Sequence, residues 1–186
     1  MKPHPARVHQ IELRVAALSG LFNSLDPTPF HHRDLDRDAV EYLETWALEF
    51  PANSHFRILV HLDTLPPDDP TLMLSAAVRH YFDNKSVLAL RSLRLLLIEG
   101  RTSLLIGSTF LALCLLGADL LATSSTFSTH TFARLLKESL LIGGWVAMWR
   151  PLQIFLYDWW PIARRRKIYR NLGHANVQVL KAAPPP

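Results

Sequence analysis

The 186-residue chain has a single cysteine, Cys114, inside an apolar run. One thiol forms no internal disulfide, so nothing here calls for an oxidising compartment. The chain also lacks a P-loop, a G-x-G-x-x-G turn, a paired C-x-x-C, a G-x-S-x-G elbow and any kinase signature. With them go the motif-based arguments for nucleotide, zinc, redox and acyl-transfer chemistry. The opening residues, MKPHPARVHQIELRV, contain no apolar h-region and no small-residue cleavage site. No secretory signal is expected, and the N-terminal region is expected to stay in the cytosol. Acidic charge is scarce beyond residue 70. Residues 1–70 hold six Lys/Arg against eleven Asp/Glu, a net of −5, and residues 71–186 hold fourteen against five, a net of +9.

What is present is apolar. Hydrophobic residues make up 49% of the chain, and the mean hydropathy is +0.10. That average is high for a soluble domain and low for an embedded one, so it points to segregated halves. The stretch 102–122, TSLLIGSTFLALCLLGADLLA, has Asp119 as its only formal charge. At 1.5 Å per residue it reaches roughly 30 Å, the thickness of a bilayer core. A second stretch, 132–160, reads FARLLKESLLIGGWVAMWRPLQIFLYDWW and is interrupted by Arg150-Pro151. A helix over about 139–160 puts Arg150 near mid-depth, and one over about 132–149 puts it at the interface. The favoured reading is a single kinked span with a snorkelling or paired Arg150, since an unpaired arginine at the bilayer centre is expensive.

The flanks set the orientation. Arg91, Arg94 and Arg101 precede the first stretch, and Arg164, Arg165, Arg166, Lys167 and Arg170 follow the second. The connecting segment 123–138, TSSTFSTHTFARLLKE, carries only Arg134 and Lys137 as positive charges. The positive-inside rule then places both chain ends in the cytoplasm. Trp159 and Trp160, followed by Arg164, Arg165, Arg166 and Lys167, read as an interfacial aromatic and basic anchor against anionic headgroups, not as a nucleic-acid patch.

The rest reads as a small α/β region. Strands are expected over about 8–17, 55–63 and 176–180, from alternating or densely apolar patterns. A helix is expected over about 37–50, capped by Asp36 or by Asp38 with Glu41, and a long helix from Thr71 is expected to enter the first span almost without a break. The predicted fold class is an α+β membrane protein in the order β-α-β-α-TM-TM-α-β: a two-helix transmembrane hairpin with a small cytosolic domain. The expected divisions are a cytosolic region 1–100, a hairpin 101–160, and a basic anchor with last strand and tail over 161–186. The Ser103/Gly107 pair and Gly143-Gly144 mark where the two membrane helices approach each other or a second copy.

No catalytic residue is expected. His31, His32, Asp34 and Asp36, with Asp38, are weak metal candidates, because imidazole and carboxylate both ligate zinc, manganese or iron. Their spacing fits no known ligand motif, and the aspartates already serve as helix caps. His61 and Asp63 share one strand face and read as a satisfied surface or edge pair, with no third group to make an acid/base site. Arg150, Asp158 and Asp119 are the charges within or beside the spans, most simply an ion pair that sets helix depth. No metal or other cofactor is expected.

The stretches LFNSLDPTPFHHRDLDRDAVEYLETWA, AAVRHYFDN and WVAMWRPLQIFLYDWWPIARRRKIY, between residues 21 and 169, resemble an uncharacterised family of small bacterial two-span inner-membrane proteins. The resemblance implies a bacterial inner-membrane location and brings no activity with it. The expected partners are the lipid bilayer and either another protein or a second copy of the chain, with no nucleic acid. Three functions are in play: a non-enzymatic accessory, scaffold or assembly protein with a cytosolic docking domain; a homo-oligomeric channel or transport component with Arg150 on a polar path; and a membrane-anchored metalloenzyme.

Overall fold

The computed structural model describes residues 8–22, 35–66, 69–123 and 131–182. The elements are β1 (Val8–Ala17), α1 (Arg37–Glu49), β2 (His55–Thr64), α2 (Thr71–Thr123), α3 (Thr131–Ala147), α4 (Trp149–Gln153), a π-helical turn (Ile154–Asp158), α5 (Trp159–Gly173) and β3 (Asn176–Lys181). They divide into two compact units, one of residues 1–90 with 163–186 and the other of 91–162. The N-terminal and C-terminal parts belong to a single unit.

In the first unit the three strands form one parallel sheet in the order β1-β2-β3. The alternation seen in the sequence is the alternation in space. Ile11 and Leu13 of β1 face inward opposite Ile58 and Val60 of β2, and Ile58 and Val60 meet Val177 and Val179 of β3 on the other side. α1 contributes Val40, Leu43 and Ala47 to the same core, α2 contributes Leu74, Ala77, Val78 and Phe82, and α5 contributes Ile168 and Leu172. The α2 set recurs at the three- and four-residue spacing of one helix face. The other sheet face is mixed, with Gln10, Glu12, Arg14, His61 and Asp63 beside the buried Leu59 and the exposed Leu180. Gln10 donates to Glu12 at 2.7 Å, and Arg14 pairs with Asp63 at 3.1 Å.

The start of α1 follows its capping sequence. Asp36 is the N-cap, and its carboxylate accepts from the Asp38 N–H at 2.9 Å. Leu35 and Val40, at the hydrophobic-staple positions, are both buried in the core.

In the second unit, glycines bring α2 against the chain that returns. A methyl group on Gly144 would lie 2.7 Å from Leu111 Cδ1 and 3.3 Å from Cys114 Cβ. One on Gly107 would lie 2.9 Å from the Ala147 carbonyl, and one on Gly100 would lie 2.8 Å from Ile154 Cγ2. Gly143 has nothing within 4 Å of that position. Of the neighbouring pair, Gly144 is therefore the contact residue.

The returning chain stays helical through two prolines. Met148 forms a turn between α3 and α4, and Pro151 is the third residue of α4. The wide π-helical turn precedes α5, in which Pro161 is again the third residue. Each proline sits just after an interruption of the regular ladder, the Met148 turn or the π-helical turn, where one fewer donor is tolerated. The regular helix is interrupted at Met148, two residues before Arg150-Pro151.

Candidate functional site

Three charged constellations come from the fold. The first lies in the second unit. The Arg150 guanidinium donates to Glu99 Oε1 at 2.6 Å and to Asp158 Oδ2 at 3.2 Å. Arg150 lies between the Gly107–Ala147 and Gly100–Ile154 contacts. Its Cα is thus level with residues 101–106 of α2, while its guanidinium reaches toward the Gly100 end, where both carboxylates sit. Arg150 is thus a paired arginine, held by two carboxylates. Asp119 is exposed 20 residues further along α2 from Glu99, about 30 Å at 1.5 Å per residue. The sequence reading missed Glu99. Its signal was available, since it is the only acid in α2 between Asp83 and Asp119.

The second constellation is the basic run at the start of α5. Arg164 donates to the carbonyls of Leu48 at 2.9 Å and Phe50 at 3.3 Å. Those are acceptors left open at the C-terminal end of α1. Lys167 donates to the Asn53 amide oxygen, and Asn171 donates to the carbonyls of Ala52 and Ser54, both at 2.9 Å. Part of the predicted anchor therefore holds the α1–β2 turn in place. Arg165 and Trp160 are exposed, and Trp159 directs its indole N–H to the Phe155 carbonyl at 2.9 Å.

The third is a half-buried cluster in the first unit. Lys85 is ion-paired to Glu44, and its ammonium lies 5.3 Å from the Tyr81 ring centre and 5.7 Å from that of Tyr169. The Tyr169 hydroxyl donates to the other Glu44 oxygen at 3.4 Å. Desolvation alone would lower the Lys85 pKa, but the Glu44 carboxylate outweighs it and holds the ammonium above its ordinary 10.5. Burial first, then the Glu44 charge, raises the Tyr169 phenol above its ordinary 10.0. Both groups hold their protons more tightly when folded. Their contribution to stability is therefore complete below about pH 10 and is lost as pH rises through the raised folded values. We expect unfolding followed by tryptophan fluorescence to be flat from pH 7 to 9.5 and to weaken above it, with Lys85→Met and Tyr169→Phe together flattening the alkaline arm. An alkaline arm of the same depth in the double variant would refute this.

The remaining candidates separate cleanly. His61 and Asp63 share a face but have different partners: Asp63 takes Arg14, and His61 Nε2 lies 3.7 Å from Glu12. His31, His32 and Asp34 lie outside the described residues, and Asp36 is occupied as the α1 N-cap. Among the described residues no group of three or more His, Cys, Asp or Glu is placed to hold a metal ion.

The exposed face of α1 is different in kind. Tyr42 and Trp46 are 42% and 38% exposed and sit with Asp38, Glu41, Thr45 and Glu49 around a shallow concavity. The two rings are 6.4 Å apart, and Trp46 continues to Phe50 at 6.2 Å. This makes an aromatic ridge with an acidic rim.

By composition and length, this is a mixed helix-and-sheet protein with two helical stretches able to cross a membrane, over Thr71–Leu120 and Arg134–Gly173. The chain matches no family model, no curated protein and no solved structure.

Proposed function

We propose that the chain is a non-enzymatic, membrane-anchored docking protein. The hairpin of residues 101–160 occupies a bacterial inner membrane, both chain ends are cytoplasmic, and the three-stranded unit serves as an accessory, scaffold or assembly module. The membrane part is supported by what the hairpin leaves uncovered. In each candidate span only 17% of the apolar window is buried, and Leu105, Trp145 and Trp149 are 70%, 70% and 72% exposed. A core helix of a soluble protein would be mostly covered, and an apolar surface of this kind calls for lipid as its solvent. The hydroxyls in the apolar stretch also fit. Thr102 and Thr109 donate back to the carbonyls of Ile98 and Leu105 at 3.1 and 2.9 Å, so neither needs water.

The observation that carries the docking function is the Tyr42–Trp46 ridge. Exposed aromatics at the centre of a charged rim are the composition of a binding surface. Its acidic rim selects a partner segment that carries Arg or Lys beside an apolar anchor. Affinity purification from native membranes in mild detergent tests the reading. A stoichiometric partner that is lost in Trp46→Ala, with the chain still folded, is the expected result. A pure homo-oligomer unaffected by that substitution would sink it.

The runner-up function, a homo-oligomeric channel, would use the Arg150 triad. In our reading the triad is a depth-setting ion cluster. Arg150→Leu then leaves Glu99 beside Asp158 with no cation and reduces accumulation in the membrane, and adding Glu99→Gln with Asp158→Asn restores it. Ion flux in proteoliposomes is unchanged by any of these. An Arg150-dependent flux would instead make the chain a channel component.

A further inference from the structure

We propose that one face of α5, formed by Ala163, Arg166, Lys167 and Arg170, binds the phosphate of an anionic phospholipid headgroup. The four residues recur at spacings of three and four, so they share one side of the helix. Together they line a cleft of about 170 Å³. Three of the four lining residues are cations, and no carboxylate lines it.

This face differs from Arg164, its neighbour in the basic run, in the state of its donors. Arg164 is occupied by the Leu48 and Phe50 carbonyls. Among the described residues, the guanidinium groups of Arg166 and Arg170 have neither a hydrogen bond nor an ion pair to a protein acceptor. Lys167 gives one donor to the neutral Asn53 amide and keeps its charge and two further donors. Three like charges at this spacing disfavour the helix that carries them. An anion seated among them relieves that repulsion and satisfies the two arginine forks, whose geometry matches paired phosphate oxygens.

The source of the phosphate follows from sequence position, and this step rests on the membrane reading above. α5 opens on Trp159 and Trp160 at the end of the second apolar stretch. Ala163 and Arg166 follow Trp160 by three and six residues, about 5 and 9 Å of helix rise. If the tryptophans mark the edge of the hydrocarbon, the mouth of the cleft falls in the headgroup layer. A lipid is held at that depth by its own chains, whereas free phosphate is not concentrated there.

Native mass spectrometry of the full-length protein in mild non-ionic detergent, titrated with phosphatidylglycerol, tests the proposal. One lipid per chain is expected to persist. Its apparent affinity should fall at least tenfold in Arg166→Gln/Arg170→Gln and less in Arg166→Lys/Arg170→Lys, which keeps the charge but not the forks. Phosphatidylcholine should not be retained, and millimolar inorganic phosphate should not displace the lipid. Retention of phosphatidylglycerol by the glutamine variant overturns the site. Displacement by inorganic phosphate overturns lipid as the source. Release of the wild-type chain from native membranes by alkaline carbonate, without detergent, overturns the membrane reading itself. A chain that resists carbonate while its variants keep the lipid overturns the site alone.

Discussion

Replacing Leu172 with alanine destabilises the three-stranded unit by about 2–5 kcal/mol, the cost of a leucine-sized cavity in a packed core. Leu172 is fully buried, in the same cluster as Ile11, Ile58 and Phe82. It lies in α5, on the far side of the hairpin in sequence from β1 and β2. The informative readout is therefore in the N-terminal half. Limited proteolysis in mild detergent should cut β1 and β2 faster in Leu172→Ala than in wild type. Leu180→Ala is the control, because Leu180 is on β3 but 43% exposed, and a substitution of that kind stays within about 0.5 kcal/mol. Equal sensitivity in the two variants would mean that the ends of the chain do not build one core.

Gly144→Leu opens the hairpin, and Gly143→Leu does not. The first drives a side chain into Leu111 and Cys114 across the helix pair, and overpacking of that kind costs about 1–3 kcal/mol or more where backbones approach closely. The second enters open space. Cys114 reports the outcome without a label being engineered, since it is the single cysteine of the chain and is buried. Maleimide modification in detergent should be slow in wild type and in Gly143→Leu, and fast in Gly144→Leu. Equal rates in the two variants would remove the packing argument. The contrast also shows how specific the contact is, because the two glycines are adjacent and chemically identical.

That pair illustrates which parts of the structure could be read in the sequence. The β1 boundaries and the Thr71 start are written in local periodicity and stand at the expected positions, and of the two caps the sequence offers for α1, Asp36 and Asp38, the chain uses Asp36. Features that depend on a distant partner were not legible. Arg150 was singled out as a charge needing a partner, but Glu99 is 51 residues away. Arg164 was read as a lipid anchor, and its acceptors at the end of α1 are 116 and 114 residues away. A basic run beside an apolar segment looks the same whether its donors face lipid or cap a helix. Only the tertiary register divides Arg164 from Arg166. Gly143 and Gly144 pose the same problem, because a small-residue pattern reports that helices approach without naming the residue on which they meet.

The β2-to-β3 connection has a consequence for synthesis. β1, α1 and β2 leave the ribosome first, yet Ile168, Leu172 and Val177 complete their core. From Thr64 to Val177 is 113 residues, about 6–23 s of translation at 5–20 residues per second. Throughout that interval the strand pair stands with part of its apolar face bare. It closes only once the whole hairpin has been made. Chains arrested before Ile168 emerges should be cut by protease in β1 and β2, and chains arrested after β3 has cleared the tunnel should resist. In this protein the order of events is built into the topology: the segment that emerges first is the last to be finished.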